Sequence, residues 1–160
     1  MNVHVSRTLA RMSGHDDAAR IAATFGSLLL RTNRSHLYRV LVGDAAGVDE
    51  TTYPVLSGLA RLGTATASEL AQQIGLDRTV TTRYASRLEQ AGLLTRRAHP
   101  TDARSTSLAL TDLGEQTVRG MRERLLGLID GATADWSDDE RATFTRLFDR
   151  LAAALTTPDA

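Results

Sequence analysis

The chain has 160 residues and a formal net charge of zero; it lacks cysteine and lysine, so all nineteen cationic side chains are arginine. Disulfides, thiolate metal sites and thiol redox sensing are thereby excluded, as are a phosphate-binding P-loop, a Schiff base and a kinase-type lysine. The histidines His4, His15, His36 and His99 lie too far apart for metal-ligand spacing, and no stretch reads as a membrane span or secretory leader.

The expectation from these exclusions is a cytoplasmic protein without metal, cofactor or catalytic site. Neutrality conceals an asymmetry: residues 78–104 hold six Arg against Glu89 and Asp102, whereas residues 112–160 hold ten acids against six Arg. A basic middle beside an acidic tail suits a protein that touches a polyanion with one lobe only.

In chain order, residues 1–14 lack a clear period and end at Ser13-Gly14, which predicts a loose arm or a short extra helix. Asp16 and Asp17 favour the start of a long helix through Ile21, Phe25, Leu28, Leu29, Leu37, Val40 and Leu41, closed by Gly43. A second helix follows, with Pro54 in its first turn, Leu56, Leu59 and Leu62 on its buried stripe and Gly63 at its end. Thr66-Ala67-Ser68-Glu69 matches the S/T-x-x-E capping box, so a third helix starts near Ala67 and stops at Gly75. Only Leu76 and Asp77 precede a fourth helix, with Asp77 as N-cap, which runs to about Ala91.

Leu93–Ala98 and Ser105–Leu110 read as antiparallel strands, with Thr106, Leu108 and Leu110 on one face and residues 99–104 at the tip. Thr111 caps a long helix carrying Leu113, Val118, Met121, Leu125, Leu128 and Ile129. A last helix opens with a second capping box, Ser137 to Glu140, and bears Phe144, Leu147, Phe148, Leu151 and Leu155 on one stripe. The fold class is therefore mainly α with a small β-hairpin wing, a winged helix-turn-helix joined to a helical region.

On a helical wheel Thr81, Tyr84, Ala85 and Leu88 share one side of the fourth helix, and Arg78, Thr79, Thr82, Arg83 and Ser86 share the other. A helix in the major groove offers its exposed N-terminal residues to base edges. Arginine can fork onto guanine O6 and N7, a discrimination of about 1–3 kcal/mol, while a short Thr permits close approach. Arg97, His99, Asp102 and Arg104 mark the ribbon as a second contact; a guanidinium fits a narrow minor groove, and Asp102 can aim Arg104. Thr66 and Ser68, at the N-terminus of the third helix, are candidate phosphate contacts. The plain alternative is a solvated surface helix and hairpin. From a different class, the rival is a winged helix that binds a protein partner and not DNA, which the neutral net charge leaves open.

Asp102-Ala103-Arg104 through Leu108-Ala109-Leu110-Thr111, with Gly114 following, resembles the D-x-R-x-x-x-L-x-L-T-x-x-G signature of MarR-type regulators. Glu69-Leu70-Ala71 and the Leu88-Glu89-x-x-Gly92-Leu93 ending agree with it, and the likeness extends from about Asp17 to Leu155. The resemblance implies a homodimer on a pseudo-palindromic operator in double-stranded DNA, a repressor released by a small phenolic or anionic effector. It also implies that residues 78–86 read the major groove and Arg104 the minor groove. One departure is Thr81, where the family usually places an aliphatic residue; Val80 stands just before it. The implied organisation is a loose arm at 1–14, a helical dimerisation region at 15–48 and 112–160, and a winged helix-turn-helix at 49–111. An effector pocket in the family's usual place would have His36, Tyr38, Arg39 and Tyr53 near it, each of which reads as a packing or surface residue ahead of a ligand contact; the effector-binding residues stay unassigned.

Overall fold

The structure is a computed structural model that describes the backbone of residues 3–98 and 106–156, with side chains from residue 16 onward. Among the described residues the order is α1 (Val3–Leu29), α2 (Arg31–Val42), α3 (Tyr53–Leu62), β1 (Thr64–Thr66), α4 (Ala67–Ile74), α5 (Arg78–Gln90), β2 (Leu94–Ala98), β3 (Thr106–Leu110), α6 (Asp112–Ala132) and α7 (Asp138–Thr156). The chain divides into two compact units, Met1–Arg119 and Gly120–Ala160, so the division falls inside α6.

The first helices differ from expectation. Helix begins at Val3 and not at Asp16, so of the two expectations for residues 1–14, a loose arm or a short extra helix, the described backbone is helical and continuous with the helix that follows. The single long helix expected from Asp16 to Gly43 is broken at Leu30, which takes the extended values φ −56° and ψ 137°. Neither Gly nor Pro marks this break. At the break the Ser27 carbonyl accepts from Leu30 N–H at 3.2 Å and from Asn33 Nδ2 at 2.7 Å, which satisfies an acceptor that a continuous helix would have bonded to Arg31.

Pro54 lies in the first turn of α3, where its missing N–H costs no helix bond. Val55, Leu56 and Leu59 are buried, as are Leu70, Ala71, Ala85, Leu88, Leu93, Leu94 and Leu108, which together form the core. Leu62, expected on the same stripe, is instead exposed in the last turn. The capping box at α4 forms as spaced: Glu69 N–H donates to Thr66 Oγ1, and Thr66 N–H donates to Glu69 Oε2 at 2.7 Å. Gly75 then takes the left-handed conformation at φ 67° and ψ 35°, which lets the chain reverse within two residues into α5.

The sheet holds a strand the sequence did not announce. β1 pairs antiparallel with β3, placing Ala65 opposite Leu108, and the strand order is β1-β3-β2. β2 pairs with β3 in the expected hairpin, with Leu94 opposite Leu110 and Ala98 opposite Thr106. The central position of β3 explains why the expected alternation is absent. Ser107, Leu108 and Ala109 are all buried: β1 and β2 cover the strand along both edges, and α3 and α4 pack against it.

Thr111 links the sheet to α6. Its N–H donates to the Leu93 carbonyl at 3.1 Å, its Oγ1 donates to the Gly92 carbonyl at 2.7 Å, and Gly114 N–H donates to the same Oγ1. This brings the first turn of α6 down onto Leu93. A Cβ built at Gly114 would collide with the Leu93 carbonyl oxygen, so the L-T-x-x-G ending is a packing requirement of this junction.

In α6, Val118 and Met121 are buried, but Leu113, Leu126, Leu128 and Ile129 are exposed. No residue of α7 is buried, although its capping box forms and Phe144 stacks on Phe148 at 5.5 Å and meets Trp136 edge-on at 5.2 Å. Ile21, Leu28, Leu29, Leu30, Leu37 and Val40 are likewise exposed on α1, α2 and their joint.

Candidate nucleic-acid interface

Helix α5, the candidate reading helix, is built from both ends. At its start, Asp77 Oδ1 accepts from Thr79 N–H at 2.7 Å and from Val80 N–H at 3.2 Å. These bonds, the Val80 amide foremost, hold the Asp77 carboxyl below the usual carboxylate range. The anion site of this helix end is thus filled by the protein's own carboxylate, and an approaching polyanion must be met by side chains. Along the buried side, Thr81 and Leu88 are fully enclosed together with Ala85. Thr81 tolerates burial because its hydroxyl donates to the Asp77 carbonyl at 2.9 Å. On the opposite side of the helix Arg78, Thr79 and Arg83 are exposed, and Thr82 and Ser86 partly so.

The hydroxyls and guanidiniums of this face are not equivalent. Thr82 Oγ1 donates its proton to the Arg78 carbonyl at 2.8 Å, so toward a ligand it offers an acceptor and a methyl group. Arg83 spreads over the Tyr84 ring, 5.3 Å from the centroid, which limits its rotamers without neutralising it. Among the described residues, Arg78, Arg83 and Arg97 face no carboxylate within salt-bridge distance, whereas three other arginines do.

Arg87 donates to Asp49 Oδ2 at 2.6 Å and to Thr51 Oγ1 at 3.3 Å, tying the far end of α5 to the turn before α3. Asp49 also accepts from the Thr51 hydroxyl and from the amides of Thr51 and Thr52. Burial works against ionisation of Asp49, but the Thr51 hydroxyl, Arg87 and the two amides outweigh it and hold the carboxyl far below its ordinary value. Arg96 donates from Nε to Glu89 and from Nη2 to Ser86, tying β2 to α5. Arg39 lies 3.5 Å from Glu50.

The expected site residues therefore sort into three groups. Arg78, Thr79, Thr82 and Arg83 share the outer face of α5, and Arg97 is exposed on β2. Ser86 lies on that face but already accepts from Arg96, and Thr66 is engaged on both sides of its hydroxyl: it accepts from Glu69 N–H and donates to Glu69 Oε2 at 2.9 Å. The capping box thus places the Glu69 carboxylate against the Thr66 amide and hydroxyl, groups that an external anion would otherwise meet, and Ser68 beside it is exposed. His99, Asp102 and Arg104 lie outside the described residues. Of the groups near the implied effector region, Tyr38 and Tyr53 pack ring on ring at 4.6 Å between α2 and α3. The sequence reading missed the pairing of Arg87 and Arg96. Ser86 and Glu89, three residues apart on one helix face, are the signal that a cation from the next strand could bridge them.

The MarR family model matches residues 48–106, which run from the turn before α3 to the start of β3. The HTH-type transcriptional regulator YxaD of Bacillus subtilis (strain 168) is 29% identical over 108 residues, covering 68% of this chain and 76% of its own. Among solved structures, a MarR family transcription regulator superposes with a TM-score of 0.71 at 23% identity, over 91% of this chain and 95% of its own. RV1404 from Mycobacterium tuberculosis superposes with a TM-score of 0.69 at 25% identity, over 88% of this chain and 94% of its own.

Proposed function

We propose that this chain, a MarR-family transcription regulator, acts as a homodimeric repressor on a pseudo-palindromic operator, with α5 in the major groove and the ribbon in the flanking minor groove. The observation that carries the reading is the outer face of α5, where Arg78 and Arg83 stand exposed without a carboxylate partner among the described residues while neighbouring arginines are neutralised. Free guanidiniums at the leading end of a helix suit base edges and phosphates. Arg97 and Arg104 would supply the ribbon's share, with Asp102 orienting Arg104.

The homodimer is favoured by the apolar side chains left in solvent on α1, α6 and α7, which include Ile21, Leu128, Ile129, Phe144, Leu147 and Phe148. Exposed apolar surface on this scale marks an association face. A two-fold axis would present two copies of α5 to successive turns of one duplex face. Release by a small phenolic or anionic effector is carried by the family alone.

The test is a binding titration of the purified chain against duplexes selected from a random-sequence library, repeated over a range of salt concentrations. Enrichment of an inverted repeat, bound with an affinity that falls steeply with salt, is expected. Failure to retain any duplex at low salt would overturn the reading.

A further inference from the structure

We propose that Arg96 is a positioning residue, a strut that fixes the angle between the reading helix and the wing, and that it does not contact DNA phosphate. The proposal rests on the DNA-binding reading above. Arg96 belongs to the basic stretch 78–104 and to the first strand of the ribbon, so charge alone would count it among the phosphate contacts. Its geometry assigns it otherwise. Nε donates to Glu89 Oε2 at 2.8 Å and Nη2 donates to Ser86 Oγ at 2.9 Å, and both acceptors sit on α5.

Two directed bonds from one planar guanidinium fix direction as well as distance, which a point charge cannot do. Glu89 and Ser86 are one helical turn apart, so the fork spans the turn and resists both sliding and rotation of the strand along the helix. Arg96 and Glu89 are 33% and 38% exposed, and ion pairs that open to solvent contribute little to stability. The arrangement is therefore better explained by geometry than by stability. Arg97, the next residue, points to the other side of the pleat and faces no acid among the described residues. One arginine braces the strand while its neighbour remains available to the duplex.

The test uses the full chain with a duplex selected by the wild-type protein and with an unrelated duplex, titrated between about 50 and 200 mM salt, the range over which phosphate contacts are read. Arg96→Lys and Arg96→Ala should each lose about tenfold or more on the selected duplex. Both should keep wild-type affinity for the unrelated duplex and an unchanged slope of log affinity against log salt. Arg97→Ala should instead make that slope shallower by roughly 0.9 per subunit, or about 1.8 for the dimer, the value of one neutralised phosphate in each half-site.

Glu89→Ala gives the opposite sign for the two accounts. Removing an acid that shields a phosphate-binding cation should strengthen binding, whereas removing one foot of a strut should weaken binding to the selected duplex. Circular dichroism and dimer mass confirm that each variant folds, and Glu89→Ala decides if Arg96→Ala does not. Wild-type affinity in Arg96→Lys, a lower slope in Arg96→Ala, or tighter binding by Glu89→Ala would each overturn the proposal. If the wild-type protein selects no duplex at all, the DNA-binding reading itself fails, a separate result.

Discussion

Arg87 Nη2 and Asp49 Oδ2 meet at 2.6 Å, joining the last turn of the reading helix to the turn that starts α3. Asp49 is held far below its ordinary value of 3.8, with burial opposing and the Thr51 hydroxyl, Arg87 and two amides prevailing. A carboxyl whose folded value is depressed contributes stability above its unfolded value and loses that contribution as pH falls toward the folded one. Asp49→Asn should therefore lower stability at pH 7 by about 1 kcal/mol, a figure discounted for the solvent exposure of both partners. The gap to wild type should shrink as the pH falls below about 4, since the wild-type carboxyl then begins to lose its advantage. Urea unfolding at pH 7 and pH 3 measures both values; an undiminished gap at pH 3 would refute the assignment.

The reading residues should separate by kind. Arg83→Ala should weaken binding to the selected duplex by about 1–3 kcal/mol per half-site and relax the base preference at one position of each half-site. Arg104→Ala should weaken binding while leaving the dimer intact and the half-site sequence unchanged, because a minor-groove cation reads shape. Repeating the library selection with each variant tells the two apart. A half-site logo unchanged by loss of Arg83 would count against its role as a reader.

Gly114 should resist enlargement. A Cβ there meets the Leu93 carbonyl oxygen, which is itself fixed by the Thr111 amide. Gly114→Ala should cost about 1–3 kcal/mol, the range for overpacking a site that cannot relax. Gly120→Ala, one position in the same helix with open space around it, should not destabilise and serves as the control in chemical denaturation.

The apolar stripe on α7 should behave as an interface. Phe144 and Phe148 stack on each other yet remain 51% and 47% exposed. Phe148→Glu should shift the chain toward monomer in sedimentation and lose most of its affinity for a two-half-site duplex, with a helical circular dichroism spectrum retained. An unchanged dimer would move the interface to other helices.

Much of this arrangement was legible in the residues, for reasons that differ by element. The capping box at Thr66–Glu69, the N-cap at Asp77 and the stop at Gly75 are local, so a window of four residues specifies them. The buried and exposed sides of α5 follow from helical period, and Thr81 and Leu88 fall where that period puts them. What could not be read depends on partners distant in sequence. β1 is only three residues long and owes its extended form to pairing with β3. The break at Leu30 is accompanied by an Asn33 side-chain bond of a kind that competes with a helix the local sequence would also support. The pairing of Asp49 with Arg87 spans 38 residues, so a charge count treats as free a cation that the fold has neutralised.

The middle strand of the sheet carries one more consequence. β3 bonds β1 on one side and β2 on the other, then passes directly into the Thr111 clamp. Deleting or inserting a single residue within Thr106–Leu110 would turn its side chains over against two ladders at once and misalign the helix that follows. Length variation among relatives of this chain should accordingly gather in the tip at 99–105 and avoid the strand behind it.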